Sequence, residues 1–211
     1  MVKFPKPMPE EAEALVLKME PSGESFLKLH ILTTGIGVFL CLKRIPKKAL
    51  HSSIPDIFDQ ALITLETSQQ GTMRFVKEYQ ITQRREQIGR NYRSLSSASF
   101  FSQLLVSNAA HLPESKALFN LTARSFDAFA AGKVPEIVLL KSLYLVLTNE
   151  GFPVRESWWP TMPSNLTTLA KSQLQASAPM QIEASERKHC QCICDHLIDW
   201  MRLHTDLIVP N

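Results

Sequence analysis

Glycine is scarce, with seven in 211 residues, and none belongs to a phosphate-cradling loop. The chain contains no GxxxxGK[ST] run, no G-x-S-x-G elbow and no H-E-x-x-H pair. The commonest signatures of nucleotide hydrolysis, serine hydrolysis and zinc proteolysis are therefore missing, and the sequence reads as a non-enzyme without a cofactor. Long apolar runs are missing as well. Nothing approaches the roughly 20 apolar residues of a membrane span, and the opening MVKFPKPMPEE lacks the apolar core of a secretory signal. Cysteine is limited to Cys41, Cys190, Cys192 and Cys194, three of them crowded into five residues where no disulfide framework forms. These features predict a protein of a reducing compartment, the cytoplasm, with no membrane contact.

What is present is ordinary globular material, 45% hydrophobic and 20% charged, with a net charge of +3. The charge is unevenly spread. Residues 1–24 carry 3 Lys and Arg against 5 Asp and Glu, residues 25–93 carry 11 against 5, and residues 94–211 carry 9 against 10. The middle segment holds the whole cationic excess, a footprint suited to a polyanion. Its densest part is KRIPKK, with Lys43, Arg44, Lys47 and Lys48 and no acid.

The first 82 residues alternate apolar and polar side chains in short runs: EALVLKME, SFLKLHIL, VFLCLK, FDQALITLET and MRFVKEYQIT, with turn signals at Pro21–Gly23, at Thr34–Gly37 and around Gly71. Five strands in about seventy residues predict a small barrel, with the OB-fold the strongest form. Beyond Gln83 the period becomes helical. LSSASFFSQLLVSNAA, ESKALFNLTARSFDAFAAG, PEIVLLKSLYLVLTNEG, SNLTTLAKSQLQAS and ASERKHCQCICDHLIDWMRLHTDL make five helices, and Gly151–Pro163 reads as a flexible junction. PEIVLLKSLYLVLTNEG is apolar almost all round and belongs at the centre of the bundle. The expected class is α+β: an OB barrel over 1–82 and a helical domain over 83–211.

Several constellations carry chemistry, each with a plainer alternative. Lys43, Arg44, Lys47 and Lys48 suit phosphate contact along a flexible single strand, extended by Arg74, Lys77, Arg84, Arg85, Arg90 and Arg93; the alternative is a solvated basic loop. Alternation sets Phe26, Lys28 and His30 on one face of the second strand and Phe39, Cys41 and Lys43 on one face of the third. Aromatics interleaved with cations suit base stacking, whereas Phe26 and Phe39 as barrel packing is the competing reading. HCQCICDH places Cys190 and Cys194 on one helical face and Cys192 on another; with no second ligand pair nearby, buried thiols are favoured over a metal site. Trp158 and Trp159 read either as an apolar plug or as a partner anchor.

Residues 14–37, ALVLKMEPSGESFLKLHILTTGIG, resemble the opening of the RecO family of bacterial recombination mediators: an apolar first strand, a turn ending in Gly-Glu, a second strand ending in Thr, then a glycine. LKRIPKK stands where that family has its cationic cluster, and LLKSLYLVLTNEGFPVRESW is similar to its central helix and exit. The resemblance spans about 15–160. It implies a DNA repair and recombination mediator that binds single-stranded DNA, with double-stranded DNA a further ligand, anneals complementary strands and, with RecR, helps RecA replace single-strand binding protein. It also implies nucleoid association during repair. The helical domain would hold the acidic, apolar C-terminal tail of single-strand binding protein, for which Arg124, Lys133 and Lys141 lie on suitable helices. Two departures stand out: Arg44 and Ile45 follow Lys43 where the family has a glycine, and ESWWPTMPSN has no cysteine where many members bind zinc. The zinc site is not carried over. The contrasting reading is an interaction scaffold with no DNA role.

Overall fold

A computed structural model describes residues 9–45, 54–68, 71, 73–112 and 116–211. Five strands come first: β1 (Glu10–Ser22), β2 (Phe26–Thr33), β3 (Gly37–Arg44), β4 (Gln60–Thr67) and β5 (Arg74–Gln83). They close into a barrel in the order β1-β2-β3-β5-β4, with β3 and β5 parallel and the other neighbours antiparallel. This is the OB-type barrel that the alternating runs predict. The long β1 serves two neighbours: its first half pairs with β4 and its second with β2, and the register shifts between Val16 and Lys18. A bulge of this kind lets one strand bend around a small barrel and close the sheet.

The barrel interior is filled by one apolar set from every strand, including Ala14, Val16, Leu29, Ile31, Cys41, Ile63, Leu65, Val76 and Tyr79. Cross-strand register fixes which side chains join it. Leu29 lies opposite Cys41 and Ile31 opposite Phe39, so these four residues share the interior face.

A buried charge adjoins this core. Asp59 is wholly buried just before β4, and its carboxylate accepts from Arg84 Nε at 3.1 Å, Arg84 Nη2 at 2.9 Å, the Tyr79 hydroxyl at 3.2 Å and the Asp56 N–H at 2.9 Å. Arg84 Nη2 also donates to the Ile54 carbonyl at 2.7 Å. The carboxylate hydrogen bond lifts the Arg84 pKa, and burial followed by the Asp59 charge lifts that of Tyr79. The same network fixes the turn containing Phe58, whose φ of 69° is costly for a residue with a Cβ. Phe58 N–H donates to the Val16 carbonyl at 2.8 Å and Val16 N–H to the Asp59 carbonyl at 2.9 Å, tying the turn to β1.

The helices are α1 (Tyr92–Ser107), α2 (Lys116–Ala130), α3 (Pro135–Asn149), α4 (Ser164–Gln175) and α5 (Ala184–His204), preceded by a short 3-10 helix at Glu86–Arg90. α1 begins on Asn91, whose Oδ1 accepts from the N–H groups of Arg93 and Ser94 at 2.9 and 3.2 Å. α2 ends at Gly132, whose φ of 76° allows Lys133 N–H to return to the Ala128 carbonyl at 3.1 Å. α3 is buried on nearly every side and packs against α1, α4 and α5, the central position expected of its composition. Asn108 pins the C-terminal segment with two bonds: its Nδ2 donates to the Ile208 carbonyl at 2.9 Å and its Oδ1 accepts from Ile208 N–H at 2.8 Å.

The chain divides into two compact units. One comprises the described parts of Met1–Arg84 and Ala109–Phe119, the other Arg85–Asn108 and Asn120–Asn211. The expected boundary at 82/83 falls within two residues of the division at 84/85, but Ala109–Phe119 groups with the barrel, which no local composition signals. The junction Gly151–Pro163 also differs from expectation. It contains a π-helical turn at Val154–Trp158 and a 3-10 turn at Trp159–Thr161. Burial of Trp158 overrides the breaking tendency of Pro153 and Pro160: its ring is fully enclosed and its Nε1 donates to His196 Nδ1 at 2.9 Å. Trp158 is therefore a core plug. Trp159 stays half-buried, with Lys171 Nζ 5.7 Å from its ring centroid.

Among the described residues no helix is long and apolar enough to cross a membrane.

Candidate nucleic-acid interface

At one end of the barrel the start of β2, the end of β3 and the start of β5 enclose a cleft of about 440 Å³ lined by Phe26, Lys43, Arg44, Phe75, Val76 and Lys77. The register explains the gathering. Phe26 lies opposite Arg44 and Leu27 opposite Lys43 in the antiparallel β2/β3 pair, while Leu42 and Lys43 run beside Phe75 and Val76 in the parallel β3/β5 pair. Phe26 and Phe75 meet edge to face with centroids 6.3 Å apart, leaving two aromatic surfaces flanked by cations. Lys43 is half-buried; its Nζ donates to the Lys77 carbonyl at 3.2 Å, and burial lowers its pKa. Arg44 is exposed. Lys77 Nζ pairs with Glu66 at 2.8 Å on the surface, a contact that exchanges readily with solvent or a phosphate.

The residues proposed from sequence separate into three groups. Phe26, Lys43, Arg44 and Lys77 line this cleft, and Lys28 is exposed on the outer side of β2, two residues from Phe26. Phe39 and Arg74 form a pair of their own: the Arg74 guanidinium lies 4.7 Å from the Phe39 centroid, and Phe39 packs against the barrel core. Phe39 thus faces the interior whereas Phe26 and Lys28 face outward, so the two aromatic sets do not form one stacking surface. Arg84 and Arg85 are engaged elsewhere. Arg84 holds the buried Asp59, and Arg85, with a side chain 1% exposed, donates from Nε to Asp127 at 2.7 Å. Neither offers a free guanidinium to a phosphate. Lys47 and Lys48 lie outside the described residues. Phe75 was not anticipated, although alternation around the buried Val76 already places it outward beside Lys77.

A second cleft, of about 260 Å³, lies among α2, α3 and the segment after α4. It has an apolar floor that includes Leu121, Val138 and Ala178, and all three cations expected for an acidic tail, Arg124, Lys133 and Lys141, stand around it. Lys141 has a further task. Its ammonium donates to the carbonyls of Gln173, Leu174 and Ala176 at 3.0, 2.7 and 2.7 Å, capping the C-terminus of α4 with all three of its protons. Burial, then the Lys133 charge, lowers its pKa. Arg124 and Lys133 are left to meet a carboxylate directly.

The thiols are largely withdrawn. Cys41, Cys190 and Cys194 are buried and Cys192 is exposed. Burial pushes Cys41 up to about 12 and Cys190 up to about 11, and raises Cys194 as well. A raised thiol pKa opposes the thiolate form that both zinc and disulfide exchange require. In the native protein one thiol of four is expected to react promptly with a chromogenic disulfide, and all four in denaturant. Rapid native reaction of two or more would contradict the burial of the Cys190/Cys194 face. Elemental analysis is expected to find no stoichiometric zinc; one equivalent, lost together with folding on Cys190→Ser, would overturn that expectation.

No family model matches the chain, and no curated protein matches it.

Proposed function

We propose that this chain is a non-enzymatic DNA repair and recombination mediator of the RecO type: it binds and anneals single-stranded DNA on the barrel and, with RecR, assists RecA loading on DNA coated by single-strand binding protein. The observation that carries the reading is the barrel-end cleft, where Phe26 and Phe75 lie among Lys43, Arg44 and Lys77 within the one cationic third of the sequence. Aromatic faces accept any base, and flexible cations follow the backbone, so such a surface holds single strands with little regard to sequence. Annealing needs nothing further in principle, because cations shared by two strands offset the repulsion between their phosphates. Duplex binding would use the same charges, and repair would bring the protein to the nucleoid.

The α2/α3 cleft supports the partner half of the proposal. An apolar floor with Arg124 and Lys133 above it is complementary to an acidic, apolar peptide end such as the single-strand binding protein tail. Replacing both cations with alanine is expected to weaken tail-peptide binding about tenfold, the effect of two partly exposed charge-assisted contacts. Lys141→Ala is expected to lower stability also, since it removes the cap of α4. Equal peptide affinity in wild type and in the Arg124→Ala/Lys133→Ala variant would show that this cleft does not hold the tail.

The functional test is strand annealing with and without single-strand binding protein. The reading expects acceleration in both cases, with loss of the coated-strand reaction alone in the Arg124→Ala/Lys133→Ala variant. Failure to accelerate annealing of bare strands would instead favour an interaction scaffold.

A further inference from the structure

A third cleft, of about 400 Å³, lies between α1, α3 and α5 and belongs neither to the barrel end nor to the α2/α3 cleft. Its composition is unusual. Leu139 and Ile198 give an apolar floor and Phe100 an aromatic wall, while Arg93, Arg187 and Lys188 bring three cations. Among these stands one acid, Glu136, in the first turn of α3, with only 7% of its surface exposed.

Glu136 is under-coordinated for a buried carboxylate. Among the described residues its oxygens meet Arg93 Nη1 at 3.8 Å and Arg187 Nη1 at 3.5 Å. The other buried or half-buried acid–arginine pairs close to 2.9 Å at Asp59–Arg84 and 2.7 Å at Asp127–Arg85. A carboxylate has about four lone-pair positions and strongly favours short N–H bonds when removed from water. The position near a helix N-terminus and two arginines explains why Glu136 is tolerated, but its contacts are one long hydrogen bond from Arg187 and one ion pair with Arg93 at 3.8 Å. Arg93 is anchored through its backbone N–H to the Asn91 side chain, and its side chain, paired with Glu136 only at 3.8 Å, is 59% exposed at the cleft. Tyr92, at the rim, is 82% exposed, a large aromatic ring with its surface in water.

We infer that this cleft is a guanine-nucleotide site. Guanine alone among the common bases presents two adjacent donors, N1–H and the N2 amine, on its Watson–Crick edge. Those two donors match the two oxygens of one carboxylate. Adenine and cytosine set a ring acceptor beside their amine, which the carboxylate repels, and thymine and uracil offer a single ring N–H between two carbonyls. The base would enter edge-on to Glu136 against Phe100 and Tyr92. Its 5′-phosphate would lie toward the exposed Lys188, and the three positive charges of Arg93, Arg187 and Lys188 exceed the single negative charge of Glu136. The same chemistry comes from a free nucleotide or from a guanine within a single strand. The site lies wholly within the helical unit, so its nucleotide preference does not depend on DNA binding by the barrel.

The test uses the full-length protein titrated with guanosine, adenosine, cytidine and uridine monophosphates, and with oligothymidine strands containing or lacking one central guanine. Guanosine monophosphate is expected to bind about tenfold tighter than the others, the discrimination of one good bidentate contact. Glu136→Gln, which turns one acceptor into a donor, is expected to reduce that preference to about twofold or less. Tyr92→Ala and Lys188→Ala sit at the surface and keep the proposal testable if the Gln variant melts early; each is expected to weaken guanosine monophosphate binding several-fold without changing the melting temperature. Preference for guanine in both the free nucleotides and the strands assigns the site to a nucleotide, and preference in the strands alone assigns it to guanine within DNA. Absence of a guanine preference in both arms would overturn the inference, as would a preference untouched by Glu136→Gln, or by the two surface changes should that variant not fold. Variants at Lys43 and Arg44 are expected to leave the mononucleotide preference intact, which separates failure here from failure of the DNA-binding proposal.

Discussion

Arg84→Ala is expected to destabilise the barrel by about 3–5 kcal/mol, the cost of leaving a buried carboxylate without its cation. Asp59 is wholly buried and accepts two bonds from Arg84, one from the Tyr79 hydroxyl and one from the Asp56 N–H. Alanine would remove the charge and both guanidinium contacts together, and the Ile54 carbonyl would lose its donor too. Lysine would not restore them, because a single ammonium cannot supply the Nε and Nη2 pair in the fixed fork that the carboxylate meets. The double variant Asp59→Asn/Arg84→Ala is expected to be less destabilised than Arg84→Ala alone, since neutralising the acid removes the unpaired charge. Denaturant unfolding followed by a barrel-specific probe decides the matter. A loss below about 1 kcal/mol for Arg84→Ala, within the range of an exposed pair, would mean that the Asp59 network is wet and the Phe58 turn is held by other contacts.

The same arginine shows what was legible in the sequence and what was not. Strand and helix positions followed from period and turn residues, and the barrel emerged because five alternating runs could bury one face only by closing on one another. The faces were harder. Alternation places Phe39 and Lys43 on one side of β3 and Phe26 and Lys28 on one side of β2, but only the pairing of Ile31 with Phe39 reveals that Phe39 points inward, while Lys43 at the strand end reaches the cleft. Register is a property of two strands, not of either sequence. Arg84 and Arg85 look like members of a basic cluster until their partners are known. Those partners, Asp59 and Asp127, lie 25 and 42 residues away along the chain. Lys141 was placed beside its cleft by its helix, but its three carbonyl acceptors come from a different helix end, more than thirty residues on. Charge alone singled out residues 25–93 as the cationic segment. It did not identify which cations are spent on the fold.

If the barrel end beside Lys43 and Arg44 is a surface for single-stranded DNA, as proposed, its largest functional consequence is electrostatic. Replacing Lys43, Arg44, Lys47 and Lys48 together with alanine removes four of the eleven cations between residues 25 and 93. The interior set that holds the barrel is untouched, and Lys43 contributes one exposed hydrogen bond to a backbone carbonyl at the rim, so stability is expected to change little. If about four to six phosphates are neutralised in the wild type, the logarithm of affinity falls against the logarithm of salt with a slope of about −3 to −4, at roughly −0.7 per phosphate on a single strand. Losing four contacts is expected to flatten the slope to about −1 and to lower affinity near 0.1 M salt by about several hundredfold. Thymine-only and mixed strands are expected to weaken to a similar degree, because phosphate contacts carry no base information. The direct measurement is the salt dependence of oligonucleotide binding by fluorescence anisotropy for the wild type and the quadruple variant. A steep slope that collapses in the variant is expected, whereas unchanged affinity together with an unchanged slope would show that this end of the barrel does not bind DNA.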